Sequence, residues 1–130
     1  MNIITNKIYI GSSQDAITAT NDIILNVAID LETHPSNNRF KIGLIDGPGN
    51  KQDTFNQAVD FIKQNINNDI LVHCHSGHYR SVMTVACAIS DDIESFKKNL
   101  NIIMNIRGVP NYRQALYELA LNYFTEKKII

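Results

Sequence analysis

Residues 71–81 read LVHCHSGHYRS. A short apolar run ends at Cys74, Arg80 and Ser81 follow, and His73, His75 and His78 crowd into the same stretch. A thiol, a guanidinium and imidazoles this close together suit three chemistries: a metal site, a redox loop, or a cradle for an oxyanion. The residues after Cys74 favour the third. A helix beginning near Arg80 offers unpaired N–H groups and the positive end of its dipole. Gly77 permits a backbone conformation that other residues resist, so successive N–H groups from His75 to Tyr79 can turn inward as a nest. Arg80 adds a planar fork matched to two phosphate oxygens. Cys74 at the base of such a cradle is favoured as a thiolate, placed for in-line attack on phosphorus.

Phosphate monoesters are slow to hydrolyse unaided, and enzymes accelerate the reaction by up to about 10²¹-fold. A nucleophile therefore needs charge stabilisation and a proton for the leaving group. Asp46 is the best proton donor in the chain. It ends an expected strand and opens a Gly-Pro-Gly loop. Asp53 is second, and is better read as a helix cap.

The elements that must position these groups alternate. Strands are expected at Lys7 to Ile10, Ile23 to Val27, Phe40 to Ile45 and Ile70 to His73, the last a continuous apolar run of the kind buried within a parallel sheet. Ser13 is a candidate cap for a short helix over Asp15 to Thr20. Thr33 to Asn38 and Asp46 to Asn50 read as loops. A helix is expected from Thr54 to Asn65, capped by Asp53. Ser81 to Ser90 is apolar on almost every side and should be a buried helix. Two amphipathic helices follow, Ile93 to Ile106, stopping at Gly108, and Asn111 to Phe124, starting just after Pro110. The pattern predicts an α/β fold: a central, mostly parallel sheet of four to five strands, helices on both faces, and a phosphate-binding loop between a central strand and a buried helix. Ligands in such sheets bind beyond the carboxyl ends of the strands, where LVHCHSGHYRS lies.

The bulk properties agree. At 130 residues, the chain reads as one domain able to bury a core without staples. A net charge of −1 gives no global field for nucleic acid or anionic membrane. Two cysteines make no disulfide framework, and Cys74 and Cys87 read as reduced thiols of a cytoplasmic protein. The N-terminal residues carry no signal-peptide pattern, and no run is long enough to span a bilayer.

The pattern His-Cys-x5-Arg-Ser, with glycine at the third intervening position, resembles the signature of the cysteine-dependent protein tyrosine phosphatases, dual-specificity branch. The likeness covers most of the chain. NKIYIGSSQDA is similar to that family's opening strand and turn, and DIILNVAID to its second strand. LIDGPGNKQDTFNQAVDFI is similar to its general-acid loop and following helix, and RGVPNYRQAL to the arginine and Pro-Asn segment before the last helix. The resemblance implies that Cys74 is the nucleophile and forms a phosphocysteine. It gives phosphoryl binding to Arg80 and the backbone N–H groups of His75, Ser76, Gly77, His78, Tyr79 and Arg80. Ser81 assists the thiolate as it leaves. Asp46 is acid and then base, His73 tunes the thiolate, and Asn111 plays a supporting part. It implies no metal or other cofactor. The expected partner is a phosphorylated protein or other phosphomonoester, with no nucleic-acid or membrane partner, and the expected state is a monomer. Tyr79 departs from the family pattern, where Ser, Gly or Asn is common, and should shape the pocket rim. His75 and His78 make the loop basic, which leaves phosphoinositides and RNA 5′-phosphates open as substrates beside phosphotyrosine and phosphoserine or phosphothreonine.

Other readings of these residues fit less well. A zinc site on His73, Cys74, His75 and His78 is the weaker reading, because adjacent strand residues point to opposite faces, no second Cys/His cluster exists and His34 is alone. Cys87 lies about 10 Å along the buried helix, too far to resolve Cys74 in a redox cycle, and is a core residue. A non-catalytic phosphate reader would usually lack the thiol or the arginine. Asp91-Asp92 reads as a helix start, Gly47 to Lys51 lacks the Ser or Thr of a nucleotide loop, Tyr112, Tyr117 and Tyr123 as packing residues, and Lys127-Lys128 as a solvated tail.

Overall fold

The computed structural model describes residues 1–33 and 36–129, with side chains to residue 126. His34, part of the expected 33–38 loop, falls outside the described residues, and so do the side chains of Lys127 and Lys128, whose backbone continues the last helix. The elements run β1 (Asn2–Thr5), β2 (Ile8–Gly11), α1 (Ser13–Thr18), β3 (Ile23–Ala28), β4 (Arg39–Leu44), α2 (Gln52–Gln64), β5 (Ile70–His73), α3 (Arg80–Ala88), α4 (Ile93–Arg107) and α5 (Gln114–Ile129).

The five strands form one sheet in the order β1-β2-β5-β3-β4. β5 is the middle strand, parallel to both β2 and β3, and β3 is parallel to β4. This is the expected α/β fold, with one strand that the sequence hid. β1 pairs antiparallel to β2 through a tight turn where Asn6 takes φ +49°. It is a half-buried edge strand, and no Gly or Pro marks its turn.

Alternation along the strands builds two unequal layers. Leu25, Val27, Ile70 and Val72 face a core shared with α2, α3, α4 and α5. Ile24 and Leu71 face the other way, against Ala16 of α1. All nine residues of α3 are buried, as expected of a helix with no polar face. Burying each large aliphatic side chain contributes about 1.5–3 kcal/mol, and this helix concentrates such groups directly behind β5.

Three expected boundaries move. Ser12, not Ser13, caps α1, in a reciprocal box with Asp15. Asp53 does not cap α2. The cap position is Lys51, which makes no side-chain cap bond, and Asp53 sits in the first turn, where the helix dipole favours a carboxylate. α5 begins at Gln114 rather than Asn111; just before it, Tyr112 stacks on Tyr117 and Arg113 meets Tyr79 and Asp46. The start at Asp92 and the stop at Gly108 are as expected: Asp92 caps α4 with Ser95, and Gly108 takes φ +68°.

Candidate active site

The parallel strands all end at one edge, and the segments that leave it form the site. Cys74 to Tyr79 follow β5, Ile29 and Asp30 follow β3, Ile45 and Asp46 follow β4, and Ser12 follows β2. The loop after β5 is tied to its neighbour, where the Ser13 N–H donates to the His75 carbonyl at 2.9 Å.

Gly77 sets the shape of the loop. It takes φ +73°, and a Cβ there would lie 2.5 Å from Arg107 Nη2 and 2.6 Å from the Gly11 carbonyl oxygen. Arg107, at the end of α4, grips the loop from outside. Its Nε donates to the Gly77 carbonyl at 3.0 Å, Nη2 to the Ser76 carbonyl at 3.2 Å and Nη1 to Asn2 Oδ1 at 2.7 Å. With the carbonyls turned out toward Arg107, the loop's N–H groups are free to face in.

Cys74 lies at the base of this loop, 2% exposed. Its Sγ is 3.3 Å from Ser81 Oγ. Burial works against ionisation of the thiol. Bonds from the Ser81 hydroxyl and from the N–H groups of Ser81, Gly77 and Tyr79 outweigh it and hold Cys74 below the ordinary thiol value. Two N–H groups of the loop, those of Gly77 and Tyr79, and that of Ser81 in the first turn of α3 thus converge on the sulfur.

Arg80 is buried. Its Nη1 donates to the Asp30 carboxylate and, at 3.0 Å, to the Leu44 carbonyl. Its Nε is buried and has no partner among the described residues. No local sequence motif marks Asp30 as a site residue. Its Arg80 bond holds its carboxyl below the usual range, and the segment carrying it is anchored by Asn26, whose side chain donates to Leu31 and Thr33 and accepts from the Ala28 N–H. The available signal was its place at a strand's carboxyl end, the same signal that marked Asp46.

Asp46 stands in a loop closed by Asn50. That side chain accepts from the Ile45 N–H at 2.7 Å and donates to the Ile45 and Gly47 carbonyls at 2.8 and 3.1 Å. The Asp46 carboxylate is 3.5 Å from Arg113 Nε. Arg113 in turn lies over the Tyr79 ring, 3.9 Å from its centroid, so the proton-donor candidate is linked to the phosphate loop through one guanidinium. Tyr79 is half-buried at the rim and meets His78 edge-on at 6.1 Å. His75 and Ser76 are exposed, as is Asn111 in the connection before α5.

His73 is buried on the opposite side of β5 from the thiol, and its Nδ1 is 3.3 Å from the Cys74 carbonyl. Burial, with the Arg39 charge, pushes its imidazole down, against the bond to Cys74. Among the described residues, no three His, Cys, Asp or Glu side chains converge as a metal site. Cys87 is fully buried in the core, where burial pushes its thiol up. Tyr123 is buried as expected, and Tyr112 stacks on Tyr117 at 4.4 Å. No helix among the described residues is long and apolar enough to cross a membrane.

No family model and no curated sequence matches the chain. Solved structures do. Human DUSP28 superposes with a TM-score of 0.80 at 12% identity, over 97% of this chain and 93% of that one. DUSP15 gives 0.79 at 16%, over 99% and 91%. OH1 from the Orf virus, described as a tyrosine phosphatase with triple substrate specificity, gives 0.68 at 16%, over 97% and 85%. The chain has the fold of the dual-specificity and tyrosine phosphatases.

Proposed function

We propose that the protein is a cysteine-dependent phosphatase that hydrolyses phosphate monoesters through a cysteinyl-phosphate. The observation that carries this reading is the Cys74 thiol, held below the ordinary thiol value by the Ser81 hydroxyl and the N–H groups of Ser81, Gly77 and Tyr79 against its burial, with the buried Nε of Arg80 left without a partner among the described residues. The fold shared with known phosphatases supports it.

In the first step Cys74 Sγ attacks phosphorus. The ester P–O bond breaks, and the leaving oxygen takes its proton from the Asp46 carboxyl. Arg80 and the loop N–H groups hold the equatorial oxygens, a preorganised arrangement that acts without reorganisation during reaction. In the second step water attacks phosphorus and gives its proton to the Asp46 carboxylate. The P–S bond breaks, and the Ser81 hydroxyl donates to the departing thiolate. Arg107 and Asp30 hold the cradle and do not touch the phosphoryl group.

Phosphoproteins, carrying phosphotyrosine and phosphoserine or phosphothreonine, are the substrates proposed. The exposure of His75 and Ser76 on the loop supports this reading. Two free thiols, one of them thiolate-prone, suit a reducing compartment, and the cytoplasm is the proposed location.

The test is hydrolysis of p-nitrophenyl phosphate in the presence of EDTA by wild type and Cys74→Ser. Activity in wild type alone is expected. Activity that survives Cys74→Ser, or that EDTA removes, would sink the mechanism. A panel of phosphopeptides, phosphoinositides and 5′-phosphorylated RNA then ranks the substrate classes.

A further inference from the structure

Arg113 touches both working loops. Its Cζ sits 3.9 Å above the Tyr79 ring, in the phosphate loop, and its Nε is 3.5 Å from Asp46. Helix formation does not explain the residue. The Arg113 carbonyl accepts the Tyr117 N–H at 3.0 Å, so Arg113 stands at the entry to α5. There the dipole repels a cation, and Ser, Thr, Asp or Asn is preferred. The backbone is nonetheless fixed on both sides, by that bond and by the stacking of Tyr112 on Tyr117. Across the gap, Asn50 fixes the Asp46 loop. Tyr79 is also the departure from the expected loop pattern, and its ring is what Arg113 lies against.

We propose that Arg113 is a positioning residue that registers the Asp46 carboxyl against the phosphate loop by stacking on Tyr79. At 3.5 Å the contact to Asp46 is longer than a charge-assisted hydrogen bond, about 2.7–2.9 Å. It orients the carboxyl without locking it, leaving Asp46 able to turn to a leaving oxygen. The inference rests on the phosphatase reading above.

The experiment compares kcat/KM over aryl phosphates of graded leaving-group pKa, for wild type, Arg113→Ala, Arg113→Lys and Tyr79→Ala. Arg113→Ala should steepen the dependence, falling about tenfold on phenyl phosphate and about threefold or less on p-nitrophenyl phosphate. Arg113→Lys, which keeps a cation over the ring, should recover part of the wild-type slope. Tyr79→Ala should steepen it too, and removes the other half of the contact without touching α5, should Arg113→Ala fail to fold. In an Asp46→Asn background, Arg113→Ala should leave the slope unchanged. Equal loss on every ester, or full additivity with Asp46→Asn, would overturn the inference while the phosphatase reading stands. A wild type inert toward all the esters would overturn both.

Discussion

Cys74 Sγ and Ser81 Oγ face each other across 3.3 Å beneath the phosphate loop, both side chains buried. The hydroxyl is the first of the bonds that offset the cost of burying a thiolate. Removing it in Ser81→Ala leaves burial less opposed, so Cys74 should titrate at higher pH than in wild type. The rate of alkylation by iodoacetamide against pH reports the midpoint directly. In wild type it should lie below the ordinary thiol value, and in Ser81→Ala it should move up. The variant should also release a burst of p-nitrophenol, because the phosphocysteine loses its help in breaking the P–S bond. An unmoved midpoint would remove Ser81 from the thiolate's support.

Arg80 reaches Asp30 through the same nitrogen that reaches the Leu44 carbonyl. Asp30 is thus an orienting group, and it also carries a negative charge near a site for anions. The two effects separate by substitution. Asp30→Asn keeps an acceptor and drops the charge, so inhibition by inorganic phosphate should stay within about threefold of wild type. Asp30→Ala drops both, and phosphate affinity should fall about 3- to 10-fold, the range of a modest charged hydrogen bond. Identical gains in phosphate affinity in the two variants would show that charge, not orientation, governs.

Gly77→Ala meets two obstacles, a positive φ and a Cβ placed against Arg107 and Gly11. A non-glycine residue in that conformation costs about 1–3 kcal/mol, and the clash adds to it by moving the loop off Arg107. The fold has its core elsewhere, so melting temperature should drop by about 10 °C or less while kcat/KM falls about 100-fold or more. Wild-type turnover in Gly77→Ala would rule out the proposed loop geometry.

Tyr123 donates its hydroxyl to Asp60 at 2.7 Å and is 1% exposed. Burial, then the bond to Asp60, raises its pKa in the folded protein. Burial raises Cys87 likewise. A raised folded pKa means that the folded state keeps its proton while the unfolded state gives it up. Stability is then complete below the unfolded values, about 8.5 for Cys and 10 for Tyr, and declines as pH rises past them. Melting temperature should fall between about pH 8.5 and 11, and Tyr123→Phe should flatten the upper part of that decline. A decline of the same steepness in Tyr123→Phe would place its cause elsewhere.

The elements legible in the sequence were those set by local pattern. β5 and α3 showed as unbroken apolar runs, α4 had a cap at one end and a glycine at the other, and Cys74 to Ser81 is contiguous, so its chemistry could be read without a fold. Asp46 was legible because it ends a strand at the same edge. β1 was hidden, being four residues, two half-buried and two exposed, turned by an asparagine. The partners of the site were hidden for a different reason. Arg80 meets Asp30 from 50 residues away, and Arg107 meets Gly77 from 30 and Asn2 from 105. Such pairings need strand order and register, which spacing along the chain does not supply. The late start of α5 belongs with them, since Arg113 is engaged by Tyr79 and Asp46 before the helix begins.

The complete burial of α3 has a kinetic consequence. Arg80 and Ser81 open a helix that is buried along its whole length behind the middle strand. Its amides should exchange with solvent deuterium only through opening of the whole molecule, while those of the Asp46 loop exchange through small local fluctuations. The Arg80–Ser81 end of the candidate site therefore belongs to the slowest-opening part of the protein and the Asp46 loop to a faster one, so that motion at the rim need not loosen the buried helix beneath it.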